Sequence, residues 1–132
     1  MTANEIIAHP HGEIINGVSK EFKEIFEESK QAIYVYLDDT HKTCNQRFAT
    51  LLGYKSIEEW LAVDEPFTEA FVNHESQQIL VTSYGKAMED KVGSNIEVSW
   101  KKKSGGSVKT SVIIVPISYK GELLALHFIT KI

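Results

Sequence analysis

The sequence predicts an α+β domain built on a single antiparallel sheet. Segments with helical and strand periodicity follow one another in blocks: a helix, two strands, several short helices, one long helix and then three strands. Short glycine-containing turns join the last three strands, and such turns are typical of antiparallel hairpins. Helices and strands that segregate along the chain in this way favour an α+β fold over alternating βαβ units.

Composition is that of an ordinary folded protein. The 132 residues suffice for one domain, and 42% hydrophobic with 24% charged residues argue against disorder as the main state. A net charge of −4 disfavours a nucleic-acid-binding surface. The single cysteine excludes an internal disulfide and a cysteine-based zinc site. Because a lone cysteine suits a reducing compartment and no apolar run is long enough for a membrane span, we expect a cytoplasmic protein.

The N-terminal part divides into two segments. Residues 1–17 are predicted to be a flexible lead-in, and residues 18–29 an amphipathic helix with lysine and glutamate on its polar face. The apolar face of this helix needs a cover, which can come from the sheet of the same chain or from a second copy. Its residues are therefore the candidate dimer interface: Val18, Phe22, Ile25 and Phe26.

Two strands and four helices are predicted between residues 30 and 90. The segment AIYVYLDD (32–39) is apolar on both parities, as in a strand buried on both faces, and a short strand returns over 41–44. Asn45 can cap the next helix by accepting a backbone hydrogen bond, and Gly53 can end it. The remaining helices are predicted over 56–62, 66–72 and 73–90.

Three strands complete the chain, over residues 95–103, 107–117 and 122–131. The first alternates strictly between apolar and polar side chains, which predicts an edge strand with one face in solvent. The last contains LLALHFI and is apolar on both parities. It is therefore predicted to be central in the sheet, as is the strand over 32–39.

The helix that starts at Asn45 also carries a family resemblance. The pattern N-x-x-F-x-x-L-x-G-Y runs from Asn45 to Tyr54, and with the order of elements over residues 30–131 it makes the chain resemble the PAS sensory domain family. The resemblance implies a five-stranded antiparallel sheet in the order 2-1-5-4-3, with helices over one face enclosing a cavity. It also assigns residues 30–132 to a single PAS domain.

The resemblance leaves the cofactor open. Many PAS domains bind heme, flavin or a metabolite between sheet and helices, and others bind nothing and dimerise. Heme needs a strong axial ligand such as histidine, and residues 75–90 of the long helix contain none. Cys44 precedes Asn45, whereas the flavin-binding LOV pattern has cysteine after asparagine. The sequence therefore favours neither heme nor flavin, and the cofactor stays unknown.

A cavity ligand would contact side chains that point inward from the helices and strands. Plain core packing is the alternative explanation for each of them, since both roles use apolar and aromatic residues. The candidate cavity residues are Phe48, Leu52, Tyr84, Met88, Trp100, Val112 and His127.

The sequence contains no pattern typical of catalysis. It has no glycine-rich phosphate loop, no nucleophile elbow and no metal-spaced His/Asp cluster, so neither an enzyme nor a metal site is expected. The first hypothesis is a PAS-type sensory module that binds a small molecule and signals through a homodimer or an output protein, such as a histidine kinase or regulator. The alternative is a ligand-free interaction or dimerisation module with a filled core.

Overall fold

A computed structural model describes residues 10–132 and shows the predicted order of helices and strands. The elements are α1 (His11–Glu21), α2 (Lys23–Glu28), β1 (Ala32–Asp38), β2 (His41–Cys44), α3 (Gln46–Leu51), α4 (Ile57–Leu61), α5 (Phe67–Phe71), α6 (His74–Asp90), β3 (Ser94–Lys101), β4 (Ser107–Tyr119) and β5 (Glu122–Lys131). Within the described residues, no helix is long and apolar enough to cross a membrane.

The five strands form one antiparallel sheet in the order β2-β1-β5-β4-β3. The order confirms the fold class and the predicted strand positions: β5 is central, β1 is interior and β3 is an edge. In the β1–β5 pair, Tyr34 lies opposite His127 and Val35 opposite Leu126. Both strands are covered on both faces, which explains why their sequences are apolar on both parities.

The capping interactions predicted around α3 and α4 are present in the structure. The Asn45 side chain accepts a hydrogen bond from the Phe48 N–H, and Gly53 adopts a left-handed φ of 88° after the helix. Ser56 accepts from the Glu59 N–H at the start of α4. The predicted start of α6 at Asn73 is also confirmed, although the Asn73 side chain donates to Ser107 Oγ instead of capping the helix.

Helix α1 begins at His11, so the predicted lead-in is wrong for residues 11–17; its part in residues 1–9 lies outside the described residues. Pro10 precedes the helix. The missing N–H of proline costs nothing there, because an N–H at this position has no hydrogen-bond partner within the helix. Ile14, Ile15 and Val18 are buried and extend the apolar face by one turn toward the N-terminus. The predicted single helix over 18–29 is divided at Phe22, after which α2 begins.

Helices α1 and α2 cover the outer face of the sheet of their own chain. Val18 is fully buried and Phe26 is only 8% exposed, in a cluster with Ile33, Val35 and Leu124. These two residues were predicted to form a dimer interface, and the prediction has to be corrected because the chain's own sheet already covers them. Of the four predicted interface residues, Ile25 is exposed and Phe22 is partly buried.

Helices α3 to α6 cover the opposite, inner face of the sheet. Alternate residues of the strands point to this side, with Tyr34 on β1, Ile129 on β5 and Trp100 on β3 in the same buried cluster. The structure thus has three layers, with the sheet between the N-terminal helices and the helices that follow β2.

Candidate functional site

The inner layer of the molecule is mostly filled by aromatic side chains. Phe48, Leu52, Trp100 and Val112, which were predicted to line a cavity, are all fully buried. Phe48 and Trp100 pack edge to face with ring centroids 5.3 Å apart. The Trp100 Nε1–H donates to Thr110 Oγ1 at 2.8 Å. These residues and the partly buried Met88 belong to one packed core and do not line the open space described next.

An open cleft of about 260 Å³ remains between the sheet and the helices α5 and α6. Two residues of the predicted cavity, Tyr84 and His127, line it. The other residues of its wall were not predicted individually from the sequence. These are Tyr34, Tyr36, Asp39, Pro66, Phe67, Thr68, Leu80 and Val81.

Three nearly parallel rings form one wall of the cleft. The His127 ring stacks on Tyr34 with centroids 3.9 Å apart and an interplanar angle of 11°. Tyr84 lies at the same angle to His127 with centroids 6.4 Å apart. The register of the sheet explains the stack, since Tyr34 and His127 are directly opposite on β1 and β5 and their side chains point to the same face.

His127 is neutral in the folded protein. Burial lowers the pKa of its imidazole to about 3, because the charged form would be removed from water. Its Nδ1 lies 3.1 Å from the Ala125 carbonyl oxygen, which can only accept a hydrogen bond. A proton on Nδ1 would satisfy this carbonyl in the neutral imidazole.

Asp39 supplies the polar edge of the cleft and holds two of its walls together. One carboxylate oxygen accepts from the Tyr36 hydroxyl and from the Phe67 N–H, both at 2.9 Å. Burial and the hydrogen bond to Asp39 raise the pKa of Tyr36, so the hydroxyl keeps its proton. No lysine or arginine is found among the described residues that line the cleft. Its electrostatics therefore disfavour an anionic ligand.

Two residues with side chains that could ligate a heme or bond a flavin, His74 and Cys44, lie outside the cleft. His74 is exposed at the start of α6. Cys44 is buried at the end of β2, where burial raises the pKa of its thiol and keeps it protonated. Neither residue lines the cleft.

The sequence contains only a weak indication of which β1 residues line the cleft. In β1 every position is apolar or aromatic up to Leu37, so the sequence could not tell whether 32, 34 and 36 or 33, 35 and 37 face the helices. The hydroxyls of Tyr34 and Tyr36, two residues apart, are the feature that distinguishes the inner parity.

The architecture defines the class of fold: an antiparallel sheet in the order 2-1-5-4-3, with α3 to α6 and a cleft on one face. No protein-family model matches the sequence, and no curated protein is significantly similar to it. Solved structures do match. A PAS domain from Colwellia psychrerythraea has a TM-score of 0.67 at 21% identity, and covers 87% of this chain and 97% of its own.

Two further structures agree with this match. The PAS domain of an HTR-like protein from Haloarcula marismortui has a TM-score of 0.62 at 21% identity, covering 89% of this chain and 94% of its own. A PAS domain from a two-component sensor histidine kinase has a TM-score of 0.63 at 10% identity, covering 89% and 99%. The chain has the PAS fold.

Proposed function

We propose that this chain is a PAS-type sensory or signalling module that binds a small molecule in the cleft and signals through dimer or partner contacts. The observation that carries the proposal is the open cleft between sheet and helices, where apolar rings surround a buried neutral histidine and a carboxylate. A few fixed polar groups in an apolar wall are typical of ligand sites. The similar PAS domain of a sensor histidine kinase supports a signalling role. We expect no catalysis.

The chemistry of the cleft restricts the ligand. Its volume of about 260 Å³ lies just below the range of drug-sized pockets, which favours a small metabolite. The parallel rings of Tyr34, His127 and Tyr84 favour a flat molecule. Because Asp39 is the charged group at the edge, an uncharged or cationic ligand is expected over a carboxylate or phosphate.

Native mass spectrometry of freshly purified protein tests the ligand. We expect a bound mass that is lost on denaturation, accompanied by an absorption band if the ligand is coloured. Val81 is 53% exposed and lines the cleft, so Val81→Trp should fill the space without disturbing the core and reduce occupancy at least tenfold. Ile79→Trp is the matched control, because Ile79 is 45% exposed on the same helix and does not line the cleft.

The outcomes separate the two functional hypotheses. Equal occupancy in both tryptophan variants would place the ligand elsewhere in the molecule. The ligand-free interaction module would be favoured by two results together. The purified protein would retain no bound ligand, and no flat uncharged heterocycle would bind the parent more tightly than Val81→Trp. The dense aromatic packing around Phe48 and Trp100 is the observation that supports this alternative.

We further propose that a dimer forms through Ile25 on the exposed side of α2. Ile25 is 54% exposed, whereas Val18 is fully buried between α1 and the sheet. Ile25→Asp should therefore convert the dimer to a monomer in light scattering and leave the melting temperature within a few degrees of the parent. Val18→Asp places a charge in the outer core, and should undock α1, destabilise the fold and increase association. A mass unchanged by Ile25→Asp would exclude this interface.

A further inference from the structure

A cluster of three side chains lies where the start of α1 meets the β1–β2 hairpin. His11 Nδ1 is 2.6 Å from one carboxylate oxygen of Asp38, and His41 Nδ1 is 2.8 Å from the other. Each residue offers one donor atom, and the three atoms lie within 4.8 Å of one another. This cluster could not be predicted from spacing, because Asp38 lies 27 positions after His11 in the chain.

Three different elements position the cluster. His11 is the first residue of α1, Asp38 the last of β1 and His41 the first of β2. A shift of register between Tyr36 and Asp38 brings Asp38 opposite His41 across the hairpin. The Thr40 N–H and hydroxyl each donate to Asp38 Oδ1 at 3.0 Å and so fix the orientation of the carboxylate. Hydrogen bonds from outside the ligand set are the usual support of metal-binding carboxylates.

We propose that His11, Asp38 and His41 bind a divalent first-row transition ion at the junction of α1 with the β1–β2 hairpin. Two imidazoles and one carboxylate are a donor set that suits Zn²⁺ and neighbouring ions, whereas Mg²⁺ and Ca²⁺ prefer oxygen ligands alone. The three side chains are about 40% exposed, which leaves room for water or another ligand to complete the coordination. The ion replaces the two ring N–H contacts to the carboxylate with bonds from unprotonated ring nitrogens.

Metal binding at this position has a structural consequence. His11 belongs to the helix that covers the outer face, and Asp38 and His41 belong to the hairpin at the edge of the sheet. An ion held by all three therefore links α1 to the sheet. Because the separate segments of the unfolded chain do not form the site, binding stabilises the docked helix.

Titration calorimetry of the full 132-residue chain with ZnCl₂ tests the proposal. We expect one Zn²⁺ per chain, no comparable binding of Mg²⁺, and affinity reduced at least tenfold in His11→Gln and in His41→Gln. His74→Gln is the matched control, since His74 is exposed and outside the cluster, and it should bind Zn²⁺ within twofold of the parent. Circular dichroism establishes that each variant is folded.

A second measurement keeps the test independent of variant folding. Saturating Zn²⁺ should raise the melting temperature of the parent and of His74→Gln, and leave that of His11→Gln and His41→Gln unchanged. The absence of Zn²⁺ binding to the parent would overturn the proposal. So would equal affinity in all four proteins, or a loss of affinity confined to His74→Gln.

Discussion

Replacing Asn45 with alanine is expected to lower the free energy of unfolding by about 3–5 kcal/mol, since four hydrogen bonds, three of them buried, are lost at about 1 kcal/mol each. Asn45 Oδ1 accepts from the N–H groups of Ile33 and Phe48 at 3.0 and 3.1 Å. Its Nδ2 donates to the carbonyl oxygens of Phe26 and Gln31 at 3.1 and 2.9 Å. One amide thus joins the end of α2, the start of β1 and the start of α3, and alanine removes all four of these hydrogen bonds.

Chemical denaturation monitored by tryptophan fluorescence gives this free energy. Asn95→Ala is the matched control, because the side chain of Asn95 on β3 makes one exposed hydrogen bond, accepted from the Ser111 hydroxyl on β4. It should cost less than about 1 kcal/mol. A similar loss in both variants, or a loss below about 1 kcal/mol for Asn45→Ala, would show that the buried amide does not hold these segments together.

The second large effect is a loss of stability on acidification, caused by His127. Its pKa is about 3 in the folded protein and 6.5 in the unfolded chain, so between these values only the unfolded chain binds the proton. Stability contributed by this group is therefore complete above pH 6.5 and decreases as the pH falls. Each pH unit inside that interval costs about 1.4 kcal/mol, and the step from pH 6.5 to about 5 should cost roughly 2 kcal/mol.

His127→Phe isolates this contribution, because it removes the titrating group and keeps a ring beside Tyr34. Between pH 7 and 5, we expect the free energy of unfolding to decrease less steeply with falling pH in His127→Phe than in the parent. The difference between the two slopes should correspond to nearly one proton bound on unfolding. Carboxylates titrate mainly below this interval and tyrosines above it, and His74→Gln controls for an exposed histidine. Parallel curves for parent and His127→Phe would mean that His127 binds its proton over the same pH range in the folded and unfolded states.

Much of the fold could be predicted because local chemistry and sheet position agree. Asn45 and Gly53 mark the two ends of α3 by hydrogen bonding and by a left-handed φ, both of which are properties of single residues. The edge position of β3 follows from its strict alternation, and the central position of β5 from its apolar residues on both parities. These signals act over a few residues and need no tertiary information.

The site was predicted less well because it depends on contacts between distant segments. Phe48 and Trp100 fill the inner core, whereas Tyr84 and His127 line the cleft. All four have aromatic rings, so residue type does not separate the two roles. The sequence also could not show that α1 starts at His11, because Gly12 and Pro10 resemble a break in the helix. Packing on the sheet decides both outcomes.

The two acidic residues at the end of β1 serve opposite layers of the molecule. Asp38 contacts His11 of α1 on the outer side, and Asp39 contacts the Phe67 N–H of α5 at the cleft. A single peptide bond therefore connects an outer-layer contact to an inner-layer contact. If a displacement of Asp39 in the cleft alters the docking of α1, a change in that docking alters the cleft by the same free energy, because thermodynamic coupling is reciprocal.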